Sequence, residues 1–243
     1  MFILFFLFAC QMFYYEDETV TEDTEQSEEV VTEDENYALD NTATLIQGLS
    51  AGIKNKIENE FTQVIIRTSE GEIKLELNGE KAPITVENFK NIVKSGYYEG
   101  TVFHRVINGF MIQGGDIDDM NGAGGYAGIW SGYCNGQISG SDGEIYTSEN
   151  CPRNDWTVPD EADNGLLHEP SVIAMAKTSA PNTAGSQFYI VPSDSTPSHL
   201  DGVHTVFGMV TSGMNHVDAI SEVSTGSNDK PVEDVRLIQA FRN

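Results

Sequence analysis

Basic residues are scarce: 13 Lys and Arg stand against 38 Asp and Glu in 243 residues, a formal net charge of -25. That balance excludes DNA and RNA as partners, because gripping a nucleic-acid backbone needs cations that neutralise its phosphates. Cysteine is almost missing, with only Cys10, Cys134 and Cys151. Neither Cys134 nor Cys151 has a close-spaced Cys or His companion, which argues against a zinc site. Long apolar runs are missing too: Met1 to Ala9 reads MFILFFLFA and is far too short to cross a bilayer as a helix. There is no internal repeat. What remains is enough chain for one good-sized domain with appendages.

The apolar run has the length of a secretory h-region, and Cys10 follows it directly. The Leu-Phe-Ala-Cys junction resembles a bacterial lipoprotein signal, in which the Cys is lipidated and becomes the first residue of the mature chain. No Lys or Arg precedes the run, and Phe8 is bulky for such a signal, so a cleaved or uncleaved export signal is the alternative. On either reading residues 1–10 export the chain, and the expected location is the cell envelope, facing the periplasm or the cell surface. Residues 11–44 hold twelve acids between Glu16 and Asp40, and the first base of the chain is Lys54. Self-repulsion keeps such a block solvated and extended, as a tether or as a tail with no role. In an oxidising compartment Cys134 and Cys151 are reasonable disulfide partners, with two free thiols as the alternative.

Residues 45–60 carry Leu45, Ile46, Leu49, Ile53 and Ile57, a spacing that predicts a short helix leading into the domain. From Phe61 the pattern turns to alternation. Val64 to Thr68, a Ser69–Glu72 turn, then Ile73, Leu75 and Leu77 predict a β-hairpin. Ala82 to Gly96 opens near Pro83, closes on Gly96 and spaces its apolar residues as a helix does. Short strands follow at Thr101–Val106, Phe110–Gln113, Val172–Ala176, Gln187–Val191 and Thr205–Val210, then a helix over Met214–Val223 and a strand over Val235–Phe241. Many short strands with two helices predict a closed barrel with helices covering its ends.

Three blocks carry the chemistry: TVFHRVINGFMIQGGD from Thr101, SVIAMAKTSAPNTAGSQFYI from Ser171, and HLDGVHTVFGMV from His199. They resemble, in order, the signature segments of the cyclophilin-type peptidyl-prolyl cis/trans isomerases, over roughly Phe61 to Phe241, about three quarters of the chain. The resemblance implies a mainly β domain over residues 61–243, a closed eight-stranded antiparallel barrel capped by two helices. It also implies rotation about X-Pro bonds in proline-containing polypeptides by a monomer without metal or cofactor. Physically that is sufficient. The barrier, near ~18–20 kcal/mol, comes from amide conjugation, and no covalent bond changes. A cation or donor at the proline nitrogen favours the twisted amide, and a dry pocket grips the ring. Lowering the barrier by about 7 kcal/mol gives an acceleration on the order of 10⁵.

The resemblance assigns Arg105 to the twisted amide, for which a permanently charged guanidinium is suited. Phe110, Met111, Tyr189, Leu200 and His204 match the family's proline pocket, and Phe110 and Gln113 are named with Arg105 as catalytic. Gln113 matches the residue that hydrogen-bonds substrate backbone, Ala176 and Lys177 the strand that offers main-chain groups, and Gln187 the wall beside them. Three departures stand out. His199 replaces a usual Trp associated with cyclosporin, so weakened binding of that drug with retained activity is expected. Tyr189 replaces a usual Phe and brings a hydroxyl that needs a partner if buried. Ala176 to Pro181 is one residue longer than in common eukaryotic relatives, which leaves Lys177 and Thr178 as alternatives. Residues 129–155 read as an insertion: a substrate-selecting lid, a partner surface or a neutral loop. Its Asp142, Glu144 and Glu149 lack an EF-hand pattern. The rival functions are a non-catalytic proline-peptide-binding module or chaperone, and a structural envelope lipoprotein.

Overall fold

The hairpin forms where alternation places it. In the computed structural model, which describes residues 62–243, β1 (Gln63–Thr68) pairs antiparallel with β2 (Gly71–Leu77), Ile66 opposite Ile73. Residues 1–10, 11–44 and 45–60, with Cys10, lie outside the described residues. Thr68 closes the turn by accepting the N–H groups of Glu70 and Gly71 on Oγ1. Along β2, Ile73, Leu75 and Leu77 are buried while Glu72, Lys74 and Glu76 face out. Gly71 has φ 138°, and a Cβ there would lie 2.4 Å from the His216 ring, so two independent constraints demand glycine.

α1 (Pro83–Lys94) starts with the proline that a first turn tolerates. Ala82 has no side chain to cap it. The carboxylate of Glu161, far along the chain, accepts the N–H groups of Ile84 (3.1 Å) and Thr85 (2.7 Å) instead. The helix packs Val86, Phe89, Ile92 and Val93 into the core. There Phe89 meets Tyr98, Phe188 and Phe207 at ring-centroid distances of 5.3, 5.7 and 5.2 Å. Phe89 is fully buried, so truncating it to Ala removes about 3–5 kcal/mol.

The remaining strands are β3 (Arg105–Ile107), β4 (Met111–Gly114), β5 (Tyr133–Cys134), β6 (Trp156–Thr157), β7 (Val172–Met175), β8 (Phe188–Ile190), β9 (Val206–Ser212) and β10 (Leu237–Arg242). α2 (Met214–Ser221) follows β9. Eight strands make one antiparallel sheet in the order β10-β1-β2-β9-β7-β8-β4-β3, and β5, inside the insertion, pairs separately with β6, just after it.

The sheet is a half-barrel, which corrects the expected closure: β3 and β10 are its two ends and form no ladder. The chain before β3 was expected to be strand from Thr101. It carries only the isolated bridge Val102 to Arg236, with Phe103 N–H to Val235 O and Leu237 N–H to Thr101 O holding the seam. Gly100, at φ 80°, turns the chain out of extended geometry immediately before that seam, so the pairing cannot run on. Elsewhere among the described residues the expected strands and helices stand within a few residues of their expected ends.

The pleat sorts side chains to two faces. Ile112, Phe188, Ile190, Ile173 and Phe207 point into the main core. Their neighbours Met111, Tyr189, Val191, Val172, Ala174 and Val206 form a second apolar cluster on the opposite face.

Candidate active site

That second face carries the candidate site. Strand register sets Arg105 opposite Gln113, Gln113 opposite Tyr189, and Tyr189 opposite Ala174, so the four stand in one row on one side of the sheet. Ile107 is paired with Met111 one pleat along, on the same side. The Arg105 side chain is 41% exposed, which puts its guanidinium at the surface of this face and not in the core. Among the described residues its one ion pair is with Asp229, Nε to Oδ2 at 3.4 Å. That separation is a charge contact rather than a good hydrogen bond, and it leaves the guanidinium donors uncommitted.

Beside the row lies the apolar cup. Met111 and Tyr189 are 2% and 4% exposed, and Phe110 and Leu200 pack against their cluster half-buried. Phe110 sits on the β3–β4 turn, its carbonyl accepting the Ser195 hydroxyl (2.9 Å), and its ring stacks on His199 at 5.7 Å and 23°. Leu200 ends the single 3-10 turn Ser198–Leu200. His204 presents Nδ1 to the carbonyl of Met175 at 3.0 Å, so that nitrogen carries the proton, and burial holds the imidazole below its ordinary pKa. Its ring meets the Tyr189 ring edge-on at 5.8 Å and 77°.

The polar side of the cleft is a short chain of amides. Gln113 donates Nε2 to Gln187 Oε1 at 2.9 Å, and Gln187 donates its own Nε2 to the carbonyls of Gly122 (3.0 Å) and Gly124 (2.7 Å). This fixes the Gln113 amide, with its carbonyl oxygen left to accept. Ala176 takes its place through N–H to Gln187 O at 3.0 Å. Lys177 is tied back: Nζ lies 3.5 Å from Asp160 and donates to Ala180 O. Its ammonium is therefore engaged by the protein, and Lys177 lines the cleft beside Ala176.

Past Gln113 and Gln187 the cleft opens into a cavity of about 520 Å³ that Asn135, Asn154, Asp155 and Ala176 help to line. The insertion therefore borders the cleft. It is stapled by the Cys134–Cys151 disulfide, 17 residues apart, and Arg153 stacks on Trp156 at 4.2 Å. A larger cavity, about 790 Å³, near Leu77, Leu167 and Met209 includes none of Arg105, Phe110 and Gln113. Size is a poor guide here, and the convergence of polar groups is the better one. Among the described residues no group of three or more His, Cys, Asp or Glu could hold a metal ion, so Asp142, Glu144 and Glu149 do not converge.

The sequence reading did not find Asp229, which sits with Asn228 in a turn where both have left-handed φ, 58° and 60°. The Ser-Asn-Asp run, rich in turn formers, is its only local signal.

Residues 63–241 match the family model for the cyclophilin type peptidyl-prolyl cis-trans isomerases. The chain belongs to this family. Cyclophilins similar to it include the peptidyl-prolyl cis-trans isomerase-like 1 of Gibberella zeae, 38% identical over 74% of this chain and 93% of that protein. Another is the isomerase cyp18 of Streptomyces antibioticus, 40% identical over 74% of this chain and 98% of that protein. A crystal structure of a Cryptosporidium parvum cyclophilin in the presence of the dipeptide Ala-Pro superposes with a TM-score of 0.60, at 28% identity, over 74% of this chain and 98% of that one. The chain is accordingly a cyclophilin-type peptidyl-prolyl isomerase. The matched part of this cyclophilin equals almost the whole of those relatives.

Proposed function

We propose that this cyclophilin isomerises X-Pro bonds in exported polypeptides and so assists their folding, with Arg105 as the group that favours the twisted amide. The observation that carries the reading is the strand row: a guanidinium whose only partner among the described residues is Asp229 and a fixed Gln113 amide share one sheet face with the cup of Phe110, Met111, Tyr189 and Leu200, which His204 meets through Tyr189. The proline ring sits in the cup. Gln113 holds the substrate carbonyl, while the backbone at Ala176 and Lys177 carries the residues before it. Arg105 then donates toward the proline nitrogen, whose lone pair is available only when conjugation is broken. The Ala-Pro dipeptide of the Cryptosporidium crystal supports a proline-containing ligand for this chain too.

Export is supported by the Cys134–Cys151 disulfide, a bond that persists in oxidising compartments. Cys10 is then the lipidated first residue, residues 11–44 the tether, and the periplasm or cell surface the working compartment. A mass of the mature N-terminus without diacylglycerol on Cys10 removes the anchor from this reading.

The isomerase assignment is tested by a protease-coupled or NMR-exchange assay on the chain from residue 45 onward, with Arg105→Ala as control. Catalysis lost in the variant supports it. Equal turnover in both proteins refutes the role of Arg105, and peptide binding without turnover in either identifies the non-catalytic binding module instead.

A further inference from the structure

The hydroxyl that distinguishes Tyr189 from phenylalanine is not idle. Tyr189 Oη lies 2.7 Å from His168 Nε2, and His168 Nδ1 lies 2.8 Å from Asp201 Oδ1, which also accepts the His168 backbone N–H at 2.8 Å. The His168 side chain is 0% exposed. A carboxylate only accepts, so Nδ1 carries the proton and Nε2 receives the phenol O–H; the tautomer follows from the partners. Burial holds the imidazole below its ordinary pKa, and burial together with Asp201 pushes the phenol far above its own, so both groups are neutral as this chain of donors requires. The His168 ring also lies nearly parallel to the Tyr189 ring, 5.9 Å away at 13°.

These three residues come from three elements: β8, the segment before β7, and the turn that carries His199 and Leu200. Tyr189 belongs to the cup, and Leu200, adjacent to Asp201, packs against the same cluster. The hydrogen-bond chain therefore ties Tyr189 to the turn that carries Leu200.

We propose that His168 and Asp201 are positioning residues for the proline cup: the Tyr189–His168–Asp201 chain fixes the distance between Tyr189 and Leu200 and thereby sets affinity for the proline ring. The inference rests on the isomerase reading above. A grip on the ring acts in the ground state and the twisted state alike, so its loss appears in KM, whereas loss of Arg105 appears in kcat.

The test is a double-mutant cycle on the chain from residue 45 onward, read as kcat and KM for a proline peptide with Tm alongside. His168→Leu strands the phenol in an apolar pocket and drives Tyr189 to seek water; KM rises about tenfold with kcat within about twofold. His168→Gln returns a polar partner near Nε2 and recovers most of the affinity. Tyr189→Phe breaks the same chain and raises KM by itself, and adding His168→Leu to it raises KM no further, because the two residues act as one unit. KM increases that add in the double variant, or an unchanged KM in a folded His168→Leu protein, overturn the proposal. Should His168→Leu not fold, the wild-type protein decides: its His168 imidazole nitrogen resonances shift on saturation with an Ala-Pro peptide, and an unmoved signal overturns the proposal equally. A wild-type chain with no turnover and no peptide binding fails the isomerase reading itself, a separate result.

Discussion

Arg105, Gln113, Tyr189 and Ala174 stand in a row because four strands pair, whereas Gly122, Gly124, Asn154 and Asp155 line the cavity next to them without belonging to the main sheet. Precision in the first wall comes from backbone register, which fixes every second side chain to one face. The second wall is held by side chains reaching backbone and by one covalent link. The Asp116 carboxylate accepts the N–H groups of Asp118 and Asp119 on one oxygen and of Asn121, Gly122 and Gly124 on the other. Cys134 and Cys151 close the outer loop. Strand-borne groups can be removed without loosening what bears them, while loop-borne ones cannot. Substitutions should divide accordingly, into those that change activity at constant stability and those that do the reverse.

The largest separation is expected at Arg105. Arg105→Ala should lower kcat/KM by about 10²–10³, the scale of losing one preorganised group aimed at developing charge. Thermal unfolding should stay within about 1 °C, since only a half-exposed ion pair with Asp229 is lost. Arg105→Lys should recover little, because an ammonium lacks the planar fork. A fall in Tm comparable to the fall in rate would break the division at its strongest point.

Next comes the staple. Replacing Cys134 and Cys151 together by Ser releases a loop of 17 residues and should lower stability by about 3 kcal/mol, or roughly 6–12 °C in Tm. Turnover should fall less than about threefold, since no residue of the strand row moves. A loss of activity as large as the Arg105→Ala loss would mean that the loop wall takes part in the twist.

How far each wall was legible in the sequence follows from the same difference. Although Met111-Ile112-Gln113 and Phe188-Tyr189-Ile190, largely buried on both faces, show no alternation of apolar and polar residues, the row and cup residues could be assigned before any coordinates through the resemblance of the three motif blocks. The half-barrel's open seam could not, because whether β3 meets β10 depends on a turn at Gly100 acting on a partner far along the chain. β5 and β6, two residues each, are too short to show a period. The Glu161 cap on α1 and the His168–Asp201 pair behind Tyr189 are long-range bonds without a local signature. Tyr189 raised the question of a hydroxyl partner, and only the fold could answer it.

Asp116 gives a smaller effect with a pH signature. It is fully buried. Burial alone would raise its pKa, but the backbone N–H groups it accepts outweigh that and hold the carboxyl below the usual range. A carboxyl depressed in the folded state adds stability above the unfolded value, near ~3.9, and that stability is lost as pH falls through the lower folded value. Asp116→Asn should therefore cost about 2 kcal/mol at pH 7, and its Tm should decline less steeply than wild type below about pH 4. Parallel Tm curves for the two proteins would show that the loop does not depend on this charge.

Gln187 belongs to both walls, since it receives Gln113 from the strand side and donates to Gly122 and Gly124 on the loop side. Gln187→Met keeps the length and removes every one of these bonds, so about 1 kcal/mol, three- to tenfold in kcat/KM, is the expected loss. Its origin can be read from a cycle with Gln113→Ala. If Gln187 acts by aiming the Gln113 amide, the double variant is no slower than Gln113→Ala alone and Tm stays near wild type. If it acts by holding the glycine loop, the two losses add and Tm falls by several degrees. The first outcome makes the loop wall a support that the strand row reads through one side chain, and the second makes the two walls independent of one another.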